Sequence, residues 1–131
     1  MVPVAAGEPG GLKASDRFEI DKAIRTAEQA SRYEFSVFVG RSEGTSRSFA
    51  ERLHAASVAP DRSVLIMVDP RARAVEVVTG SVVRRVLDDH AVELAVLQMR
   101  SAFAEGDLVG GLVRGIAQLA EHARAPETRH V

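Results

Sequence analysis

Cysteine and tryptophan are absent from this chain of 131 residues, lysine occurs only at Lys13 and Lys22, and the aromatic residues amount to five Phe and one Tyr. Each shortage excludes something. Without thiols there can be no disulfide scaffold, thiolate zinc site or cysteine nucleophile. With so few rings the core has to be built from Val, Leu, Ile and Ala, which a hydrophobic content of 46% supplies. No stretch approaches the roughly 18 uninterrupted apolar residues that a membrane span needs. The opening MVPVAAGEPGGLKASD also lacks a basic stretch followed by an apolar one, so the chain is expected to be soluble and cytoplasmic. Acidic and basic residues alternate to a formal net charge of -1, and no basic run marks a nucleic-acid-binding face.

What is present reads as one compact domain over 15–124, with a flexible leader at 1–14 carrying Pro3, Gly7, Pro9, Gly10 and Gly11, and a flexible tail at 125–131. Asp16 and Glu19 have capping-box spacing, and Phe18, Ile20, Ala23, Ile24, Ala27 and Ala30 recur at helical intervals, which predicts a helix over 16–31. The run EFSVFVG at 34–40 has apolar residues at both parities and predicts a strand covered on both sides. A short helix around Phe49, Leu53 and Ala56 precedes two strands, SVLIMVD at 63–69 and AVEVVT at 74–79. The helix between the first two strands demands a parallel, right-handed crossover, whereas the short polar connection Pro70, Arg71, Ala72, Arg73 makes an antiparallel hairpin. After Gly80 the pattern turns helical: a turn or two over 82–87, a long helix over 89–105 and a last one over 107–123. The expected fold is a three-layer α/β/α sandwich. Its small mixed sheet is a parallel β-α-β unit followed by an antiparallel hairpin, and its C-terminal half is helical.

From Asp61 onward the order of elements resembles the TPM domain, a family named after a thylakoid acid phosphatase and its photosystem-repair and receptor-accessory relatives. That family shows an aspartate followed by a strand of the type VLILVA, a second strand ending in glycine, an LTD-like element, and a phenylalanine near a glycine-aspartate pair that opens the last helix. Here these read as Asp61 with SVLIMVD, VEVVTG ending at Gly80, LDD at 87–89, and Phe103 with Gly106 and Asp107. AEQASRYEFSVFVG, 27–40, is similar to the family's first helix and strand. A small related family of unknown function from high-GC bacteria fits even better. The sequence departs from the TPM pattern at Arg62-Ser63, Ser31-Arg32, Gly80-Ser81 and Leu108, where the family has Asn-Gly, Thr-Gly, a glycine-rich step and an aromatic residue. The resemblance implies a TPM-like fold, and with it phosphatase activity and calcium binding, although fold transfers across such changes better than activity.

The expected topology sorts the acidic residues. With the first two strands parallel and the third returning, Glu34, Asp61 and Gly80 share one end of the sheet, and Glu28, Asp88 and Asp89 can reach it. Hard cations take about six or more oxygen ligands, several of them carboxylates. Asp61, Asp88, Asp89, Glu28 and Asp107 are therefore the candidate ligands for calcium or magnesium, and no organic cofactor is expected. An ion held there would activate water and neutralise phosphate charge, giving a metal-assisted phosphomonoester hydrolase. Each residue also has a plain structural reading: a turn at Asp61, a helix cap at Asp88 or Asp89, a solvated helical position at Glu28.

At the opposite end, GRSEGTSRS, 40–48, leaves the carboxyl end of a parallel strand and enters a helix. Arg41, Thr45, Ser46 and Arg47 are the candidate anion ligands there, with Asp69 at the same end. It is not a Walker loop, because GxxxxGK[ST] is missing. None of His54, His90, His122 and His130 stands in a Ser-His-Asp or HExxH setting. The rival to a phosphatase-like domain is a non-catalytic binding or regulatory module that engages another protein, as a monomer or weak homodimer. The glycine-rich EGDLVGGLVRG, 105–115, needs no ligand. Gly106 can end one helix, Asp107 can cap the next, and Gly111 and Gly115 let the last helix approach a neighbour closely.

Overall fold

The computed structural model describes residues 12–124, so the expected tail and most of the expected leader lie outside the described residues. Helix α1 (Ala14–Ser31) begins two residues before the predicted start, because Asp16 is not its cap. The Asp16 carboxylate reaches back to accept the Lys13 N–H at 3.0 Å, one half of a capping box, which leaves Lys13 at the cap position. Ile20, Ile24 and Ala27 form its buried stripe. The helix ends at Arg32, left-handed at φ 71°, whose N–H donates to the Glu28 carbonyl at 2.9 Å.

Strand β1 (Glu34–Val39), helix α2 (Ser46–Ala55), and strands β2 (Ser63–Asp69) and β3 (Ala74–Thr79) follow in order. β1 runs parallel to β2, with Glu34 opposite Ser63 and Val39 opposite Val68. β3 returns antiparallel, with Val64 opposite Thr79 and Asp69 opposite Ala74. β2 is thus the middle strand, and all of its residues are buried.

The alternation along β2 divides two cores. Val64, Ile66 and Val68 join Phe35, Val37, Val75 and Val77 against the apolar stripes of α1, α3 (Asp89–Ala104) and α4 (Leu108–His122). Leu65, Met67 and Val78 meet Ala50 of α2, with Phe38, Phe49 and Leu53 half-buried beside them. The result is the expected three layers, with α2 on one side of the sheet. β1 is less enclosed than its sequence pattern predicts: Ser36 and Phe38 are half-buried, because α2 seats over β2 and β3 rather than over β1.

Close backbone approaches fix two joints. A short 3-10 turn (Pro60–Arg62) leads into β2, and Gly80 lies against it. A Cβ at Gly80 would stand 2.1 Å from the Pro60 carbonyl oxygen and 2.3 Å from that of Asp61, so no side chain fits. The junction of α3 and α4 follows the sequence expectation. Gly106 has φ 85°, its N–H donates to Phe103 at 3.0 Å, and the Asp107 N–H donates to Ala102 at 3.0 Å, which is the paired closure of a Schellman motif. A Cβ at Gly111 would meet the Ala102 Cβ at 2.8 Å and the Phe103 ring at 2.7 Å, and one at Gly115 would meet the Met99 sulfur at 2.4 Å.

These contacts rank two substitutions. Gly111→Ala gains about 1 kcal/mol of helix propensity, which offsets part of an overpacking cost of about 1–3 kcal/mol. Gly80→Ala meets backbone oxygens that cannot turn aside and has no such offset, so it is expected to be the more destabilising of the two. Urea unfolding of both variants checks this, and a smaller loss at Gly80 would contradict the close approach described there.

Candidate functional site

The carboxylates expected to hold a cation do not meet at one place. Glu28 accepts the Phe35 N–H at 3.0 Å and so ties the last turn of α1 to β1. Asp88 caps α3 by accepting the Ala91 N–H at 2.8 Å, and Asp89 is the exposed first residue of that helix. Asp61 is exposed in the turn before β2, where its backbone carbonyl accepts the Val82 N–H at 2.9 Å. Asp107 caps α4 by accepting the Gly110 N–H at 2.9 Å and pairs with Arg114 at 3.3 Å.

Contrary to the expected juxtaposition, Asp107 stands at the far end of the sheet from Asp61. Its neighbour Gly106 lines a pocket together with Asp69, whereas Asp61 lies beyond the opposite end of β2, roughly 20 Å of strand away. The physical reason is α3, whose 16 residues carry the chain along the sheet before the glycine-aspartate pair is reached. Among the described residues no group of three or more His, Cys, Asp or Glu is arranged to hold a metal ion.

The candidate anion ligands of 40–48 face protein groups. Thr45 caps α2 by accepting the Ser48 N–H at 3.2 Å. The Ser46 hydroxyl donates to Glu76 at 2.8 Å. Arg47 pairs with Glu51 at 3.2 Å and Glu76 at 3.6 Å, and donates to the Val77 carbonyl at 2.9 Å. Arg41 is exposed at the start of the loop. The Glu76 carboxylate therefore occupies the position beside Ser46 and Arg47 that an anion would need.

Asp69 organises this end of the sheet. It is 3% exposed, and both of its oxygens are engaged. Oδ2 accepts the Ser42 N–H and the Ser42 hydroxyl, each at 2.9 Å, and Oδ1 accepts the N–H groups of Arg71 and Ala72, each at 3.2 Å. Burial pulls its carboxyl upward, but the donors from Ser42, Ala72 and Arg71 outweigh burial and hold it below its ordinary value. One residue joins the β1–α2 loop to the β2–β3 turn. That turn closes at Arg73 with φ 55°, a left-handed conformation that costs a non-glycine residue about 1 kcal/mol.

Beside the turn lies a pocket of about 440 Å³. Val68, Val75, Phe103 and Leu108 give it apolar walls, and Asp69, Arg73 and Arg100 are its charged residues. Arg73 and Arg100 are exposed, and neither guanidinium has a hydrogen-bond or ion-pair partner among the described residues. The site is at the carboxyl end of the parallel pair, where open α/β sheets take ligands, and an apolar concavity with a few polar groups is the usual form of a small-molecule site. Sequence reasoning reached Asp69 but missed that Arg73 and Arg100 line the same pocket. The one local signal was an arginine in a tight turn that favours glycine or asparagine.

Comparison with known proteins bears on this geometry. A family model described as Domain of unknown function (DUF5130) matches residues 6–120. Two uncharacterised proteins of Mycobacterium tuberculosis, MT2543 of strain CDC 1551 and Rv2468c of strain H37Rv, are each 32% identical over 118 residues, which cover 86% of this chain and 71% of theirs. The BA42 protein of the psychrophilic bacterium Bizionia argentinensis superposes with a TM-score of 0.75 at 21% identity, over 91% of this chain and 84% of its own. The N-terminal domain of the cg2496 protein of Corynebacterium glutamicum does so with a TM-score of 0.75 at 14% identity, over 99% of this chain and 88% of its own. At such identities the likeness concerns the fold. The TPM resemblance rests on the residue pattern quoted above.

Asp69 supplies a pH-dependent test. Its pKa is depressed in the folded state, so its contribution is present above the unfolded carboxylate value of about 3.9 and is lost as pH falls through the folded value. Asp69→Asn is expected to be less stable than the parent by about 1–3 kcal/mol at neutral pH. The gap should narrow as pH drops below about 4. Chemical denaturation at pH 7 and pH 3 measures it, and a gap of constant size would show that the charge does not hold the turn.

Proposed function

Because the chain belongs to that domain family of unknown function, its activity has to be read from its own geometry, and we propose that it is a non-catalytic binding module that takes a small molecule into the pocket beside the β2–β3 turn. The observation that carries this reading is the pocket's composition: apolar walls with two arginines whose guanidiniums have no partner among the described residues, at the sheet end suited to ligands. Its polar side chains favour binding over reaction. Both oxygens of Asp69 already accept hydrogen bonds from the chain, which leaves it poorly placed to take a proton from a substrate. Arginine stays protonated and offers donors alone.

The metal-assisted phosphatase reading would need Asp61, Asp88, Asp89, Glu28 and Asp107 to act together. Glu28, Asp88 and Asp107 instead accept backbone N–H groups, and Asp107 stands at the other end of the sheet from Asp61. The binding reading therefore anticipates no rise in melting temperature with millimolar calcium or magnesium, and no hydrolysis of p-nitrophenyl phosphate with either ion supplied. Metal-dependent stabilisation, together with turnover that disappears in Asp61→Ala and Asp88→Ala, would overturn it in favour of the phosphatase. A fragment screen followed by NMR should in turn shift the amides of Ala74, Ala104 and Gly106, which line the pocket.

A further inference from the structure

We infer that the ligand of this pocket is a small monocarboxylate with an apolar body, its carboxylate held between Arg73 and Arg100 and its body against Val75, Phe103 and Leu108. This rests on the binding-module reading and adds the chemical class. Arg73 and Arg100 line the same pocket from the β2–β3 turn and from α3, and neither side chain has a carboxylate partner among the described residues. Asp69 does not serve as that partner, since Ser42, Arg71 and Ala72 take up both of its oxygens. The planar guanidinium fork matches a carboxylate edge, which makes arginine suited to this head group.

The walls argue for a body as well as a head. Val75 is buried and Phe103 and Leu108 are half-buried, so a bare inorganic anion would leave an apolar concavity in contact with water. A volume of about 440 Å³ is near the small end of ligand pockets and calls for a compact chain or ring. Asp69 decides the charge of the head. It is an ionised carboxylate in the pocket lining, and it opposes each further negative charge brought to the arginines, so a monoanion is favoured over a phosphate dianion. Arg73 keeps a bulky side chain at a left-handed position in the pocket lining, where glycine would be unstrained.

The test titrates the full chain, followed by amide chemical shifts, with octanoate, octyl phosphate, octanol and octylamine. Octanoate is expected to shift Ala74, Ala104 and Gly106 saturably. The other three probes should bind more weakly, octanol and octylamine by about tenfold or more. Arg73→Gln and Arg100→Gln, both at exposed positions, are each expected to lower octanoate affinity by about tenfold and to leave octanol unchanged. Octanol or octylamine binding as tightly as octanoate, or undiminished octanoate binding in the doubly substituted chain, would overturn the head-group assignment while the binding module stands. Tighter binding of octyl phosphate would overturn the preference for a monoanion. Silence of the pocket amides with all four probes would overturn both readings together.

Discussion

Seven consecutive buried residues, Ser63–Asp69, set the terms for everything around them. A strand with no exposed face needs cover on both sides and pairing along both edges, and from that follow the three layers and the placing of β1 and β3. Its two ends are polar, and a buried polar group without partners would cost more than the burial gains. Ser63 donates its hydroxyl to the Ala59 carbonyl at 2.6 Å, while its own carbonyl accepts the Gly80 N–H at 2.9 Å and the His54 ring at 3.0 Å. Asp69 meets the same demand at the other end with four donors. The close approach at Gly80 and the turn beside the pocket are both by-products of satisfying one strand.

That dependence explains what was legible in the sequence. β2 and β3 could be bounded from their apolar runs and the length of their connection, because apolar runs and short polar turns are local signals. The α3–α4 junction was equally readable, since Gly106 and Asp107 act through their own backbone and the next few residues. The start of α1 was not, because Lys13 carries no side-chain acceptor and the device there works from the third helical residue backward. The half-open face of β1 also escaped notice, since it depends on which strands α2 crosses.

The site was less legible than the fold. Asp88, Asp107 and Glu28 have the same letters whether they cap backbone or ligate a cation, and tertiary distance decides between the two. The length of α3 removed Asp107 from the company of Asp61. Arg73 and Arg100 come from a turn and from the exposed side of a helix, where no periodic pattern distinguishes them from any solvated arginine. Glu76 and Asp69, carboxylates of the same hairpin, differ in the same way. One pairs with Ser46 and Arg47 over the α2 face, and the other anchors backbone N–H groups of the turn.

The glycine-seated contact between α3 and α4 also bears on the order of assembly. Three residues, 105–107, separate the two helices, so little chain entropy is lost in bringing them together. β1 can reach β2 only after residues 40–62 have been threaded across one face of the sheet. Local contacts of the first kind form early, and crossover pairings of the second kind form late. The helical hairpin that contributes Arg100, Phe103 and Leu108 and the β2–β3 hairpin that contributes Asp69 and Arg73 are both closed by short connections, so each is expected to take shape before β1 completes the sheet. On that order, the pocket is the seam along which two locally formed hairpins dock.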